Sequence, residues 1–301
     1  MKRPYHHGEL IAQRKAGVLE QAAHVAAVIK DEVPPAAITF LAAQPMLVIG
    51  AADTNGDLWA TMLTGNRGFI TVTGPSTLQV SATPAVGDPL HVALGCPQLV
   101  GLIAIEPGTR RRVRMNGTAY PAPGGLRVEL AQVYANCPKY IQKRVPTPAH
   151  TTASPSAALV SSGLTTADLE TIQKTDTFFV ATADLDGHAD ASHRGGNPGF
   201  LRAKGTHHLQ WPDYAGNSMF NTLGNLETNP HAGLLLPDWA SGTLLHLTGT
   251  ARVDWDTAHA APVPGAQRLV NFTVERSVRI EGASPLRWTD PEYSRFNPSP
   301  L

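Results

Sequence analysis

The chain has 301 residues, of which 24 are Lys or Arg, 24 are Asp or Glu, and 42% are hydrophobic. That length leaves room for two domains of about 130 residues, each able to bury an ordinary core. The balanced charge supplies no global field for nucleic acid or an anionic membrane, and no window holds the roughly 20 apolar residues that span a bilayer, so neither partner is expected.

At the start, MKRPYHHGEL is polar where the apolar stretch of a secretory signal would stand, so no leader is expected. Cys96 and Cys137 are the only cysteines, too few for a disulfide framework, which fits a cytoplasmic location. Residues 9–30 carry a broad apolar stripe and predict one or two helical segments broken near Gly17. Pro34 and Pro35 open a short helix, PPAAITFLAAQ. Met46 to Ala52 then predicts a strand, Thr54 to Asp57 a hairpin turn, and Leu58 to Leu63 the returning strand. Strands follow at Phe69 to Val72, Thr77 to Val80, Leu99 to Ile105 and Arg111 to Tyr120.

Within the last of these, Arg110, Arg112 and Arg114 share one face, while Arg111 and Val113 take the other. A solvated strand face is the favoured reading of this basic cluster; the alternative is that it engages an anionic cofactor or substrate across the interface between the copies. At Asn136 to Gln142 an amide, a thiol, an amine and a phenol crowd together, and Lys139 and Tyr140 are placed to reach a ligand. An inert thiol is the expectation for Cys137, because no base accompanies it. Residues 146–163 are rich in Pro, Ser, Thr and Ala and read as a linker.

Beyond the linker the chain repeats itself. DTNGDLWATMLTGNRGF at Asp53 to Phe69 is echoed by DLDGHADASHRGGNPGF at Asp184 to Phe200, at a constant offset of 131. Gly101, Gly117, Thr118 and Ala119 match Gly233, Gly249, Thr250 and Ala251 at an offset of 132. Two copies of one domain are implied, with function sought where the copies meet or differ. Strands are expected at Phe178 to Ala183, Gly233 to Leu236 and Leu244 to Val253, and a helix at Asn217 to Asn229 with 218, 221 and 222 on one face. Short strands with few long helices argue for small antiparallel barrels.

The copies differ most where Thr61 to Thr64 faces Ser192 to Gly195. Ser192, His193 and Arg194 put hydroxyl, imidazole and guanidinium donors on a glycine-dense strand end, a pattern suited to an anionic ligand. Ser218, Asn221 and Thr222 place further small donors near a helix start, where they can hold a phosphate or serve equally as ordinary N-caps. No GxGxxG, GxxxxGK, HExxH or GxSxG is present, and adjacent histidine pairs make no metal triad, so no metal site is expected.

The strings HHGELIAQRKAG, PPAAITFLAAQ, NCPKYIQ, SHRGGNPGF and WPDYAGNSMFNTLGNLETNP together resemble the pyridoxamine 5'-phosphate oxidase-like proteins, in particular their long two-copy members. The resemblance implies a mainly β chain of two tandem FMN-binding split barrels, small, antiparallel and Greek-key-like, with peripheral helices. Residues 1–35 would be a helical extension, 36–145 the first barrel, 146–163 the linker and 164–301 the second barrel. It implies one FMN at the seam, held by Ser192, His193, Arg194, Ser218, Asn221 and Thr222, with Lys139 and Tyr140 reaching from the first copy. The family places Arg-Lys where this chain has Asn221 and Thr222. Arg268, Arg276 and Arg279 do not match the family's vitamin B6 site. The implied activity is that of an FMN-dependent oxidoreductase acting on a small molecule with a flavin reductant. The alternative is a non-catalytic protein holding flavin, haem or a deazaflavin, or binding no cofactor at all. Catalytic residues stay unassigned, and further pairing into a homodimer stays open.

Overall fold

The computed structural model describes residues 4–147 and 155–299. Two short helices, α1 (His7–Lys15) and α2 (Leu19–Val25), are separated at Gly17, and α3 (Pro35–Ala43) follows. The first sheet contains β1 (Met46–Ala52), β2 (Leu58–Thr64), β3 (Ile70–Gly74), β4 (Thr77–Val80), β5 (Gln98–Glu106), β6 (Arg111–Ala122) and β7 (Gly125–Ala135). Next come β8 (Pro146–Thr147), β9 (Leu159–Ser161) and α4 (Thr166–Lys174). The second sheet uses β10 (Thr177–Ala183), β11 (Ala189–Gly195), β12 (Arg202–Ala203) and β13 (His208–Tyr214). After α5 (Asn221–Thr228) it is completed by β14 (His231–Pro237), β15 (Leu244–Asp254) and, beyond α6 (Thr257–Ala260), β16 (Ala266–Ile280). The last strand, β17 (Arg287–Trp288), pairs with β8, and β9 pairs with β16. Residues 148–154, in the stretch read as a linker, lie outside the described residues.

The strand orders are β2-β1-β5-β6-β7-β4-β3 and β11-β10-β14-β15-β16-β13-β12, the same path twice, antiparallel throughout. At an offset of 131 the bounds of α3, β1 and β2 become those of α4, β10 and β11. No pairing among the described residues closes either sheet into a barrel, so the expected barrels are present as two open antiparallel sheets. No helix among the described residues is long and apolar enough to cross a membrane.

The repeated motifs are turn devices. Asp53 accepts from the backbone N–H of Asn55 and Asp57 at 2.8 and 3.1 Å, and Asp184 does the same for Asp186 and His188 at 2.9 Å each. Such side chains mimic a backbone turn and set the hairpin. The later Gly-Asn-x-Gly-Phe echo is a second turn, in which Phe69 donates to Asn66 O and Phe200 to Asn197 O.

The unalternating apolar runs of β1 and β10 signal strands buried on both faces. Leu47, Ile49 and Ala51 point into the first core, and Phe178 and Val180 into the second. Their neighbours Met46, Val48, Phe179 and Ala181 meet in a third core between the sheets. Close approach is required there. A Cβ on Gly101 would fall 2.4 Å from the Asp190–Ala191 backbone, and one on Gly233 2.5 Å from the Leu58–Trp59 backbone. These reciprocal contacts, between matching positions of the two copies, show a pseudo-twofold seam.

Candidate functional site

A cleft of about 330 Å³ opens at one end of this seam. The first copy supplies β6 and residues 136–140; the second supplies β11, β13, the 215–220 loop, the start of α5 and the start of β16. Ala16 and Val18, in the turn between α1 and α2, form an edge. Gly195 lets the copies touch here, since a Cβ on it would lie 2.0 Å from Tyr140 O.

All eight residues expected at the site line this cleft. Ser192 and Thr222 are buried and share a hydrogen bond of 2.8 Å between their hydroxyls. Asn221 donates to Glu9 Oε1 at 2.5 Å. Arg194 pairs with Asp213 at 2.5 Å. The Tyr140 hydroxyl donates to Ala215 O at 3.2 Å, its ring lies 5.0 Å from that of Tyr214, and the Lys139 ammonium sits 5.7 Å from the Phe296 ring.

One local expectation fails. The helix predicted from Asn217 begins at Asn221, and Ser218 and Phe220 both adopt left-handed backbone with φ 63°. Ser218 therefore lies in the loop rather than on a helix face with Asn221 and Thr222. The residue before α5 is Phe220, and no side chain caps the helix start. That terminus keeps its partial positive charge for whatever occupies the cleft.

The larger correction concerns the arginine cluster, for which the sequence favoured a solvated face over engagement of an anionic ligand between the copies. The alternation is as predicted, but the face carrying Arg112 and Arg114 is turned to the seam. Arg111 lies outside it, 4.9 Å from the Phe40 ring. Arg112 donates to His193 Nδ1 and to Cys137 O, each at 2.9 Å, and has no carboxylate partner among the described residues. Arg114 pairs with buried Asp190, which also accepts from the Tyr134 hydroxyl at 3.2 Å. Arg268, set aside in the sequence as a poor match to the vitamin B6 site, completes the cationic wall 3.4 Å from Asp213, which was not singled out from sequence. The usable signal was the 132-residue offset. It places Arg112 and Arg114 opposite Leu244 and His246, a divergence as sharp as that between Ser192–Arg194 and Thr61–Leu63.

The electrostatics follow from burial. Desolvation, reinforced by Arg114 and Arg194, pulls the Arg112 guanidinium down to about 9. Burial and the charges of Arg112, Arg194 and Arg144 hold His193 well below the ordinary imidazole range, so it is neutral. Because an arginine only donates, His193 Nδ1 must accept, and the ring proton stands on Nε2. His193 Nε2, Arg112 Nε and Arg194 Nε are all buried without a hydrogen-bond partner among the described residues. Glu9 on α1 reaches Asn221 on α5, and burial raises its carboxyl to about 7. Gln13 and Lys15 add bonds to Met219 O at 3.0 Å and Glu227 at 2.6 Å, so α1 is strapped to the helix that opens the cleft.

The mirror-related end of the seam is filled. Thr61, counterpart of Ser192, bonds Asp88; His246, counterpart of Arg114, is fully buried with Nδ1 3.0 Å from Ala60 O. Met62 and Leu244, counterparts of His193 and Arg112, belong to the seam core. Cys96 and Cys137 are both free and exposed.

Residues 164–293 match the protein family described as Pyridoxamine 5'-phosphate oxidase. No curated protein matches the chain. Similar solved structures include a candidate pyridoxamine 5'-phosphate oxidase from Lactobacillus delbrueckii, 19% identical over 39% of this chain and 94% of that one, with a TM-score of 0.33. The heme storage protein HutZ from Vibrio cholerae is 17% identical over 38% and 91%, with a TM-score of 0.28. An FMN-binding protein from Syntrophomonas wolfei is 10% identical over 37% and 84%, also at 0.28.

Proposed function

We propose that this chain, whose residues 164–293 form a domain of the pyridoxamine 5'-phosphate oxidase family as its motifs implied, is a flavin-dependent oxidoreductase carrying one FMN-class nucleotide in the seam cleft. The supporting observation is the surplus of donors there. Arg112, Arg194, Arg268 and Lys139 converge on a cleft whose described lining holds one carboxylate, Asp213. Unsatisfied buried donors cost roughly 1–3 kcal/mol each, so an anionic occupant stabilises what the protein alone leaves unpaired. The residues present thus fit a flavin phosphate and ring.

On this reading Arg112, Arg194 and the first turn of α5, with Ser192, Asn221 and Thr222, hold the anionic part. Lys139 and Tyr140 close over the ring from the first copy, and His193 offers a neutral Nε2–H to an acceptor atom. Bound flavin supplies the hydride chemistry, so no side chain need act as acid or base. The functional unit is the joined pair of copies, residues 36–145 and 164–301, with 1–35 lending Ala16 and Val18 to the cleft rim. A small-molecule substrate and a flavin reductant are the proposed partners, and the cytoplasm the setting.

The non-catalytic alternative is favoured by neutral Asn221 and Thr222, which hold a phosphate more weakly than a basic pair does. Its haem form is disfavoured by His193, the one histidine among the described residues that line the cleft. With Nδ1 engaged by Arg112, its Nε2 carries a proton and has no lone pair for iron. The test is the absorption spectrum of purified protein, then titration with FMN and a deazaflavin. A flavin spectrum bleached by reductant supports the oxidoreductase. A Soret band, or failure to bind either flavin, would remove it.

A further inference from the structure

Beside the cleft lies a second hollow of about 140 Å³, and Phe200, Pro212 and Tyr214 line both cavities. Its other walls come from the Asn197–Gly199 turn, Arg202 at the start of β12, Val263–Pro264 and the C-terminal Pro298 and Ser299. The polar groups are one-sided. Among the described residues no Asp or Glu lines the hollow. The Arg202 guanidinium makes no ion pair or hydrogen bond with any described residue, although its backbone pairs with Gln210, and the hydroxyls of Tyr214 and Ser299 likewise have no partner among the described residues. Asn197 is already engaged, donating to Pro298 O at 2.8 Å and accepting from Asn297 Nδ2 at 3.0 Å. Burial pushes the Tyr214 phenol up to about 12 against the opposing charge of Arg202, which keeps it a neutral donor.

A guanidinium with no partner among the described residues, beside a phenol in a hollow walled by proline, valine and phenylalanine and holding no Asp or Glu among its described lining, matches a planar anion on an apolar body. The volume is too small for a nucleotide and suits a compact acid. We infer that this hollow is a second ligand subsite for the carboxylate of a small apolar acid, anchored by Arg202 and separated from the cleft by Tyr214. Its role as the seat of the flavin's reaction partner rests on the function proposed above; its binding of the acid does not.

Calorimetric titration of the full-length chain with benzoate, benzamide and inorganic phosphate tests this, with FMN affinity measured in parallel. Benzoate should bind and benzamide should not. Arg202→Gln should raise the benzoate Kd roughly tenfold or more, the loss expected for one charge-assisted pair, while leaving the FMN Kd within about twofold. Arg252→Gln, exposed on β15, should change neither. An unchanged benzoate Kd in Arg202→Gln would overturn the assignment. So would phosphate binding tighter than benzoate, or benzoate binding lost in Arg112→Gln and kept in Arg202→Gln, which would move the acid into the cleft. Benzoate binding kept by a chain that binds no flavin would uphold the subsite and remove the flavin.

Discussion

Replacing Arg112 by leucine, the residue at the mirror-related position, should make the protein more stable and worse at its task. Lowering a guanidinium from 12.5 to about 9 corresponds to an upper bound of about 5 kcal/mol against the charged form in the empty cleft. Two hydrogen bonds, to His193 and Cys137 O, offset roughly 1 kcal/mol each. His193 Nδ1 is then left unpaired, which removes about 1 kcal/mol more of the gain. The net expectation for Arg112→Leu is a gain of about 1–2 kcal/mol, in line with other buried charges replaced by apolar residues. Urea unfolding of cofactor-free protein at pH 7 measures the gain, and fluorescence titration measures FMN affinity, expected to fall at least tenfold. A variant less stable than the parent, or one with unchanged FMN affinity, would refute the view that Arg112 is held uncompensated for a ligand.

The remaining predictions concern the surroundings of the cleft. Glu9 is raised from 4.5 to about 7 on folding, so its contribution is fully present below pH 4.5 and lost as pH rises through 7. Glu9→Gln should flatten that decline, worth up to about 3 kcal/mol, when urea midpoints at pH 5 and pH 8 are compared; an unaltered slope would assign it elsewhere. Arg194→Ala should weaken FMN binding more than Arg111→Ala, because Arg111 stacks outside the cleft on Phe40, and equal dissociation constants would show the site misplaced. Gly233→Ala drives a methyl into the Leu58–Trp59 backbone and should destabilise by about 2 kcal/mol or more in denaturant unfolding. A near-neutral result would mean the copies are not packed through that contact.

Much of the architecture was legible in the residues. The offset echo implied two copies, and the strands from Met46, Leu58, Thr77, Leu99 and Arg111 lie where turn chemistry and apolar runs placed them. Gly17 separates α1 from α2 as read. Less legible were β7, β13 and β16, whose patterns are diluted by polar residues on their solvent face. The start of α5 was misread because asparagine and serine suit both a loop and a helix entry, and only the left-handed Ser218 and Phe220 separate the two.

By itself the sequence determined what neighbours along the chain decide: turns set by an aspartate whose carboxylate accepts from backbone N–H groups two and four residues on, strands buried on both faces, and a duplication into two copies of one domain. Tertiary structure decided everything that depends on distant residues meeting. Arg112 finds His193 across 81 positions, and Glu9 finds Asn221 across 212. Whether an arginine faces water or a cleft is set by the surface brought against it, and here that surface belongs to the other copy.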